Sequence, residues 1–313
     1  MLIKLNIFLI SILILLIILI FILNIFIFKQ GTYAKMTGNS FFETIFDAGK
    51  YGEYLTYNNL KLYDMDGGKF LFNSYLPKDD GTTTEIDVIL IHSSGIFVME
   101  SKNYSGWIFG NENSKTWTQT LPIGKGKSQK EHFYNPIMQN NTHIKCLKKI
   151  VGNSVPIYSL IVFSNRCTLK DITVESPNVK VINRQYISKT VKQMGNNSIY
   201  TLSQIDIERI YEMLYPYTQM TEYEKLQHID NVDAVRYGIK KKAVNSVASL
   251  ESETILKYEN TLEENKVERG KLTCPICGAE LVLRTAKKGE RAGEQFYGCS
   301  RFPKCRYSRS VFI

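Results

Sequence analysis

The apolar run at the amino terminus constrains this chain more than any other feature, because such a run has to leave water. From Leu5 to Phe28 the sequence is almost wholly Ile, Leu and Phe, with Lys4 before the run and Lys29 after it. As a helix, roughly 20 apolar residues cross a bilayer core. A cleaved secretory signal is the alternative, but its apolar region covers only about 7–15 residues and ends at small residues. We therefore predict a transmembrane anchor within residues 1–30.

The lysines beside the anchor and the overall charge indicate where the rest of the chain lies. Under the positive-inside rule, Lys4 and the amino terminus oppose Lys29, Lys35 and Lys50. The balance favours a single-pass protein of the cell membrane with its body in the cytoplasm. The formal net charge of +9 favours an anionic partner, and both nucleic acid and an anionic lipid surface qualify.

The remainder of the chain divides into three parts by its patterning. Runs with the periodicity of strands and helices alternate and predict a mixed α/β domain over residues 41–217, with its core at 41–163. The predicted helices cover 41–62, 135–149 and 203–214, and the predicted strands cover 86–92, 96–102, 157–163 and 179–182. Residues 218–269 are charged and poor in apolar side chains, which predicts a helical or flexible linker. The third part, residues 270–313, is rich in cysteine.

Two of the predicted strands carry two carboxylates and a lysine. Asp87 lies on the first strand, and Glu100 and Lys102 lie on the second. A two-residue loop between the strands places Asp87 directly opposite Glu100, whereas a three-residue loop separates the two faces unless a bulge restores them. Mg²⁺ or Mn²⁺ takes such oxygen ligands together with substrate phosphate, and a lysine beside the metal can orient or help deprotonate the attacking water. The alternative is an exposed surface ion pair worth at most about 1 kcal/mol.

The wider pattern resembles the nuclease-related domain, a branch of the restriction-endonuclease-like fold that carries Asp on one strand and Glu-x-Lys on the next. The matching segments, in order, are Gly49-Lys-Tyr-Gly52-Glu53, Glu85-Ile-Asp87, Gly95 to Gly106, Trp117-Thr-Gln119 and Asn135 to His143. The resemblance implies an α/β fold with a mixed sheet flanked by helices. It also implies that Asp87 and Glu100 bind Mg²⁺ or Mn²⁺ and that Lys102 is the catalytic lysine.

The same resemblance adds two residues to the site. It implies that Glu53 is an acidic residue brought to the site by the first helix, and that Gln139 matches a family glutamine near the site. His143 lies four residues after Gln139 and therefore on the same helix face. We consider His143 a candidate phosphate contact, with a packing or surface position as the alternative.

Four of the six cysteines form two short-spaced pairs, Cys274 with Cys277 and Cys299 with Cys305. Four thiolates at this spacing suit one tetrahedral Zn²⁺ in a closed structural site. Such spacing also favours a reducing compartment, and disulfides are the alternative. A module of this size needs its metal to fold.

The cysteine module resembles the four-cysteine zinc ribbons at the tails of bacterial type I DNA topoisomerases, from Leu272 to Tyr307. Those ribbons bind DNA, especially single strands. Independently, Lys271 to Arg309 holds nine Lys or Arg residues against three Glu, interleaved with aromatic residues. Basic groups can follow phosphates while aromatic rings stack on unpaired bases. The candidate nucleic-acid contacts are Arg284, Lys287, Lys288, Arg291, Phe296, Tyr297, Arg301, Phe302, Lys304 and Arg306.

Together these features predict a membrane-anchored, divalent-metal-dependent nuclease that hydrolyses DNA, with a zinc ribbon that binds nucleic acid. Two other classes stay open. One is a non-catalytic DNA-binding or scaffold protein at the membrane, and the other is an interaction protein whose structural ribbon binds a protein partner. Only the nuclease, and neither of these two classes, predicts that added divalent metal changes DNA from bound to cut.

Overall fold

The structure is a computed structural model, and it describes residues 2–124, 126–198, 201–236, 273–286, 293 and 295–310. The described helices are α1 (Leu2–Gln30), α2 (Thr32–Thr37), α3 (Phe41–Phe46), α4 (Ala48–Asn58), α5 (Lys61–Met65), α6 (Pro136–Val151), α7 (Ile187–Asn196), α8 (Gln204–Leu214) and α9 (Glu222–Arg236). The described strands are β1 (Lys69–Pro77), β2 (Thr83–His92), β3 (Gly95–Lys102), β4 (Gly106–Asn111), β5 (Thr116–Gly124), β6 (Lys127–Tyr134), β7 (Ile157–Phe163), β8 (Cys167–Thr173), β9 (Val179–Asn183), β10 (Leu281–Thr285), β11 (Gln295–Cys299) and β12 (Ser308–Ser310). The chain forms two compact units, Met1–Thr221 and Glu222–Ile313.

The first unit is built on a five-stranded sheet in the order β1-β2-β3-β7-β9. The strands β1, β2 and β3 pair antiparallel, while β3, β7 and β9 pair parallel. Every residue of β7 is buried, as expected for a central parallel strand whose two faces are both covered. The predicted strand over 157–163 matches β7 in both bounds.

Helices cover both faces of this sheet, so the predicted α/β fold is confirmed. Alternation along β2 sends Val88 and Leu90 to one face and Ile89 and Ile91 to the other. The first face packs against residues of α2, α4 and α7, and the second packs against α6 and α8. The sheet therefore lies in the middle layer, and side chains at the ends of its strands are available for a site.

A second sheet, in the order β6-β5-β4-β8, was not predicted from the sequence. Three of its strands, β4, β5 and β6, follow β3 along the chain, and β8 follows β7. The core of this sheet is formed around Trp117, which is fully buried beside Phe163. The strand β6 is exposed along almost its whole length. Its sequence, Lys-Ser-Gln-Lys-Glu-His-Phe-Tyr, lacks the apolar alternation that marks a half-buried strand.

The helix predicted over 41–62 is instead three helices, α3, α4 and α5, and this expectation was wrong. The break falls at Asp47, whose extended backbone ends α3 and begins α4. Its side chain accepts a hydrogen bond from the backbone N–H of Lys50 at 2.8 Å. An N-cap aspartate satisfies a backbone donor that a continuous helix would have bonded internally, so the chain turns here.

The helix α1 contains a 22-residue stretch, Leu9–Gln30, that is long and apolar enough to cross a membrane. A signal sequence near the amino terminus meets the same test of length and composition. The end of α1 also belongs to the core of the first unit, because Phe28 is buried there. Its ring lies edge-on to Tyr33, Phe41 and Tyr54, with centroid distances of 6.3, 5.5 and 5.1 Å.

The second unit contains α9 and a three-stranded antiparallel sheet in the order β10-β11-β12. The strands β10 and β11 lie between the two cysteine pairs, with Cys299 at the end of β11. Of the linker expected over 218–269, the structure describes a helix at Glu222–Arg236. Residues 237–269 lie outside the described residues.

Candidate active site and cysteine cluster

The hairpin of β2 and β3 positions the two carboxylates of the candidate site. His92 pairs with Gly95, so the loop consists of the two residues between them. The two-residue loop is therefore confirmed, and the register that puts Asp87 opposite Glu100 is the one observed. The ladder ends one step earlier, at Val88 and Met99, so the strands separate at the site. There the backbone N–H of Ser101 donates to Asp87 Oδ2 at 2.7 Å instead.

The Glu100 carboxylate lies at the centre of the site and is 1% exposed. Lys102 Nζ donates to Glu100 Oε1 at 2.6 Å and to Gln139 Oε1 at 3.3 Å. Burial acts to raise the pKa of Glu100, but Lys102 and His143 outweigh burial and hold the pKa below its usual value. Burial acts to lower the pKa of Lys102, and Glu100 and Asp87 together hold that pKa above its usual value. At neutral pH the pair is therefore an ammonium beside a carboxylate.

His143 lies behind Glu100 and not at the surface. Its Nε2 is 3.1 Å from Glu100 Oε2, and its Nδ1 is 2.7 Å from the hydroxyl of Thr84. The side chain is buried. The expectation that His143 contacts phosphate is therefore not supported by its position, since the ring is enclosed between two protein groups. It orients Glu100 through one ring nitrogen while Thr84 occupies the other.

The carboxyl groups of Glu53 and Asp87 have raised pKa values. Burial, with further contributions from Glu85 and Asp47, raises the pKa of Glu53 to about 8. Burial, followed by the charges of Glu100 and Glu53, raises the pKa of Asp87 well above its usual value. The Oε2 atom of Glu53 is buried and has no hydrogen-bond partner. An unpartnered carboxylate oxygen among mutually repelling carboxylates suits a hard divalent cation, which prefers oxygen donors.

The structure thus brings the five predicted site residues to one end of the central sheet. Glu100, Lys102 and Gln139 form a chain of direct contacts, while Asp87 and Glu53 interact with Glu100 through their charges. Thr84 and the backbone of Ser101 were not expected at the site. Neither carries a signal in the sequence, because a threonine in a strand and a main-chain N–H are ordinary features.

The four clustered cysteines come together in the second unit. Their Sγ atoms all lie within 4.8 Å of one another, with Cys274 and Cys305 at 3.6 Å and Cys277 and Cys299 at 3.4 Å. Four sulfurs at about 2.3 Å from a tetrahedral Zn²⁺ lie about 3.8 Å apart, so the cluster fits one ion. Gly278 follows the first pair with a φ of 69°, a backbone conformation that glycine adopts at no steric cost. All four thiols are unbridged, which disagrees with the disulfide alternative.

The candidate nucleic-acid contacts of the ribbon divide by exposure. The exposed residues are Arg301, Phe302, Lys304 and Arg306, with Phe302 59% exposed. The guanidinium of Arg284 lies 5.9 Å from the centre of the Phe302 ring. Phe296 and Tyr297 are half-buried, and Tyr297 packs against the cysteine cluster. Lys287, Lys288 and Arg291 lie outside the described residues.

The first unit matches a known protein family and a curated relative. Residues 48–164 match the family described as nuclease-related domain. An uncharacterized protein of Bacillus anthracis is 31% identical over 181 residues, which are 58% of this chain and 82% of the relative. No solved structure matches the chain.

The ribbon matches a different set of proteins. Residues 271–311 match the family described as topoisomerase DNA binding C4 zinc finger. DNA topoisomerase 1 of Mycoplasma genitalium is 44% identical over 52 residues, which are 16% of this chain and 7% of the enzyme. An uncharacterized protein of Escherichia coli is 49% identical over 43 residues, which are 14% of this chain and 21% of that protein. The match and the four sulfur positions together support a structural zinc ion.

Proposed function

Because this chain belongs to the nuclease-related domain family, we propose that it is a divalent-metal-dependent nuclease that hydrolyses phosphodiester bonds of DNA. One observation carries the proposal, the 2.6 Å contact of Lys102 Nζ with Glu100. The charge of the same carboxylate also raises the pKa of Asp87. In this proposal Asp87 and Glu100 hold Mg²⁺ or Mn²⁺. Glu53 offers a further ligand atom, its Oε2, which has no hydrogen-bond partner. Such an ion, when bound, supplies an activated water and a Lewis acid for the phosphate.

The side chains of the site have distinct roles in this proposal. Lys102 is held as a cation by Glu100 and Asp87, so it attracts a phosphate oxygen and stabilises the negative charge that develops there. Gln139 accepts a hydrogen bond from the same ammonium and fixes its direction. Beside the bound metal, Lys102 can orient the attacking water or help deprotonate it.

The rest of the chain serves to place this site. We propose that residues 1–30 anchor the protein in the cell membrane by one pass, that 41–217 form the nuclease domain, that 218–269 link it to the ribbon, and that 270–313 bind DNA around one structural Zn²⁺. A cytoplasmic position for the body agrees with the unbridged thiols and with the lysines that follow the anchor. The exposed apolar surface of α1 supports the anchor.

The test is cleavage of single- and double-stranded DNA by the full chain in detergent micelles, with Mg²⁺, Mn²⁺ or no added divalent ion. The variants are Asp87→Asn, Glu100→Gln and Lys102→Met, which preserve side-chain volume. The matched controls are Glu212→Gln and Lys189→Met, because both residues are exposed, Glu212 on α8 and Lys189 on α7. We expect metal-dependent cutting by the parent and by both controls, and loss of cutting in all three site variants.

If the parent binds DNA but cuts none with any metal, and the site variants behave like the parent, the nuclease activity is ruled out. The non-catalytic DNA-binding protein would then take its place. Weak binding of DNA that does not change with salt would favour the third class, in which the ribbon binds a protein partner, because phosphate contacts make binding strongly salt-dependent.

A further inference from the structure

Arg184 is a buried cation without an acidic partner. It follows directly after β9 and is 3% exposed. Its Nε donates to the hydroxyl of Thr56 at 3.3 Å, while its Nη2 is buried and has no hydrogen-bond partner. Among the residues that the structure describes, no carboxylate forms an ion pair with Arg184. Burying a charge is costly unless it is paired, so the fold tolerates this guanidinium for a reason other than its own stability.

The surroundings of Arg184 place it beside the candidate active site. A Cβ atom at Gly52 would lie 3.4 Å from Arg184 Nη2 and 3.1 Å from the hydroxyl of Ser101. Ser101 is the residue between Glu100 and Lys102. Glycine at position 52 therefore lets α4 approach β3 closely and leaves the guanidinium directly behind the catalytic strand.

A second arginine lies at the same place, and within the described part of the chain no carboxylate pairs with it. Arg166 is exposed, and its Nη2 donates to the backbone oxygen of Asn103 at 2.9 Å and to its side-chain oxygen at 3.3 Å. Asn103 follows Lys102 directly. Burial and then the charge of Arg166 lower the pKa of Arg184, so the two cations are close enough to repel each other. Their repulsion would be relieved by an anion, and arginine is the side chain best suited to phosphate.

We propose that Arg166 and Arg184 form a phosphate-binding subsite that holds a nucleic-acid backbone phosphate next to the one that is cut. The proposal rests on the proposed function, since Lys102 marks the position of the scissile phosphate. Arg166 contacts the neighbouring phosphate from the solvent side. Arg184 contributes positive potential from beneath α4, where the low dielectric strengthens it. The subsite thus fixes the register of the strand in the active site.

The test measures DNA binding without added divalent metal, so it does not depend on cleavage. The parent is the full chain in detergent carrying Arg301→Gln, Lys304→Gln and Arg306→Gln, which weaken the ribbon's own contacts. On this parent, Arg166→Gln and Arg184→Met are compared with Lys189→Gln, an equal change of charge at an exposed position. Binding of a fluorescent oligonucleotide is followed by anisotropy over a range of salt concentrations, and thermal unfolding by tryptophan fluorescence.

We expect each arginine variant to weaken binding roughly tenfold, because Arg166→Gln loses a charge-assisted phosphate contact and Arg184→Met loses the positive potential beneath it. The salt slope should fall by about 1 for Arg166→Gln. The unfolding temperature of Arg184→Met should stay the same or rise, since the variant removes an unpaired buried charge. A lower unfolding temperature of Arg184→Met with binding equal to the control would make Arg184 structural and overturn the subsite. Arg166→Gln, being exposed, tests the subsite without risk to the fold.

Three further outcomes separate this proposal from others. If inorganic phosphate raises the unfolding temperature of the parent while the oligonucleotide does not, the ligand is free phosphate, and the assignment to a nucleic-acid backbone is overturned. If both arginine variants bind like the control while Asp87→Asn still abolishes cleavage, the nuclease stands and the subsite falls. If the parent never cuts DNA with added metal but both arginine variants lose binding, the two arginines bind a backbone phosphate, and its position next to a cut phosphate is overturned together with the nuclease.

Discussion

His143 Nε2 lies 3.1 Å from Glu100 Oε2, and both side chains are buried. The other ring nitrogen is occupied by Thr84, so the ring has one orientation available. The orientation of the Glu100 carboxylate is therefore fixed from two sides, because Lys102 contacts one of its oxygens and His143 contacts the other. In the proposed nuclease, a carboxylate held in this way would present a metal ion with a fixed ligand and not a flexible one.

We expect His143→Ala to weaken Mn²⁺ binding by about 10–100-fold, as is usual when the partner of a metal ligand is removed. His143→Gln should recover part of the loss because an amide can still donate to Glu100. Mn²⁺ titration followed by electron paramagnetic resonance measures this directly and needs no cleavage. Thr142→Ala is the control, since Thr142 is the exposed neighbour on the same helix. Equal Mn²⁺ affinity in His143→Ala and the control would show that His143 only fills space.

The stability of the metal-free first unit should fall as pH rises, because folding raises the pKa of Glu53 from 4.5 to about 8. A carboxyl group whose folded pKa is raised contributes most below its unfolded pKa, and that contribution is lost as pH rises through the folded value. We expect the unfolding temperature without added metal to fall between about pH 5 and about pH 9. Mg²⁺ should restore it at the alkaline end by compensating the ionised carboxylates.

Glu53→Gln is the variant that checks this assignment. It should flatten the decline with pH, whereas the exposed Glu212→Gln should keep it. The two tryptophans, Trp107 and Trp117, both lie in the first unit, so their fluorescence follows the unfolding of that unit. A decline that is equally steep in Glu53→Gln would assign the pH dependence to other groups.

The fold was predictable from the sequence where one physical pattern dominated. The strand at β7 and the helix over 203–214 were predicted because burial and backbone capping leave direct signals, the latter through Ser203 and Asp206. The second sheet was missed because β6 is exposed on nearly all its residues and carries no alternation. The break at Asp47 was missed because aromatic residues continue at helical spacing across it, and only the cap ends the helix.

The candidate site shows the same division. Strand parity predicted that a two-residue loop puts Asp87 opposite Glu100, but the sequence left the loop length open, and the structure supplies it. The position of His143 behind Glu100 depends on how α6 packs on the sheet, which spacing along the helix cannot reveal. Arg184 lies far along the chain from Gly52, and its burial follows only from the close approach of α4 to the sheet.

Removal of zinc should unfold the ribbon and leave the first unit folded. The four thiolates hold a module too small to fold without its metal. We expect one Zn²⁺ per chain, released by a chelator together with most of the DNA binding, while tryptophan fluorescence stays unchanged. Cys277→Ser should lose zinc, and Cys146→Ser should keep it because Cys146 is buried in the first unit. Zinc retained by Cys277→Ser, or a change of fluorescence on chelation, would contradict this organisation.

The end of α1 should matter for the stability of the first unit and not only for its attachment to a membrane. Phe28 fills a pocket among Tyr33, Phe41 and Tyr54, and its replacement leaves a cavity. We expect Phe28→Ala to lower the free energy of unfolding by about 3–5 kcal/mol, the usual cost of removing a buried aromatic ring. Phe26→Ala is the control, because Phe26 lies on the same helix and is exposed. A chain that begins at residue 31 lacks Phe28 and should show the same loss, measured by denaturant unfolding in detergent. If Phe28→Ala and Phe26→Ala unfold at the same denaturant concentration, α1 serves only as an anchor and the domain is complete without it.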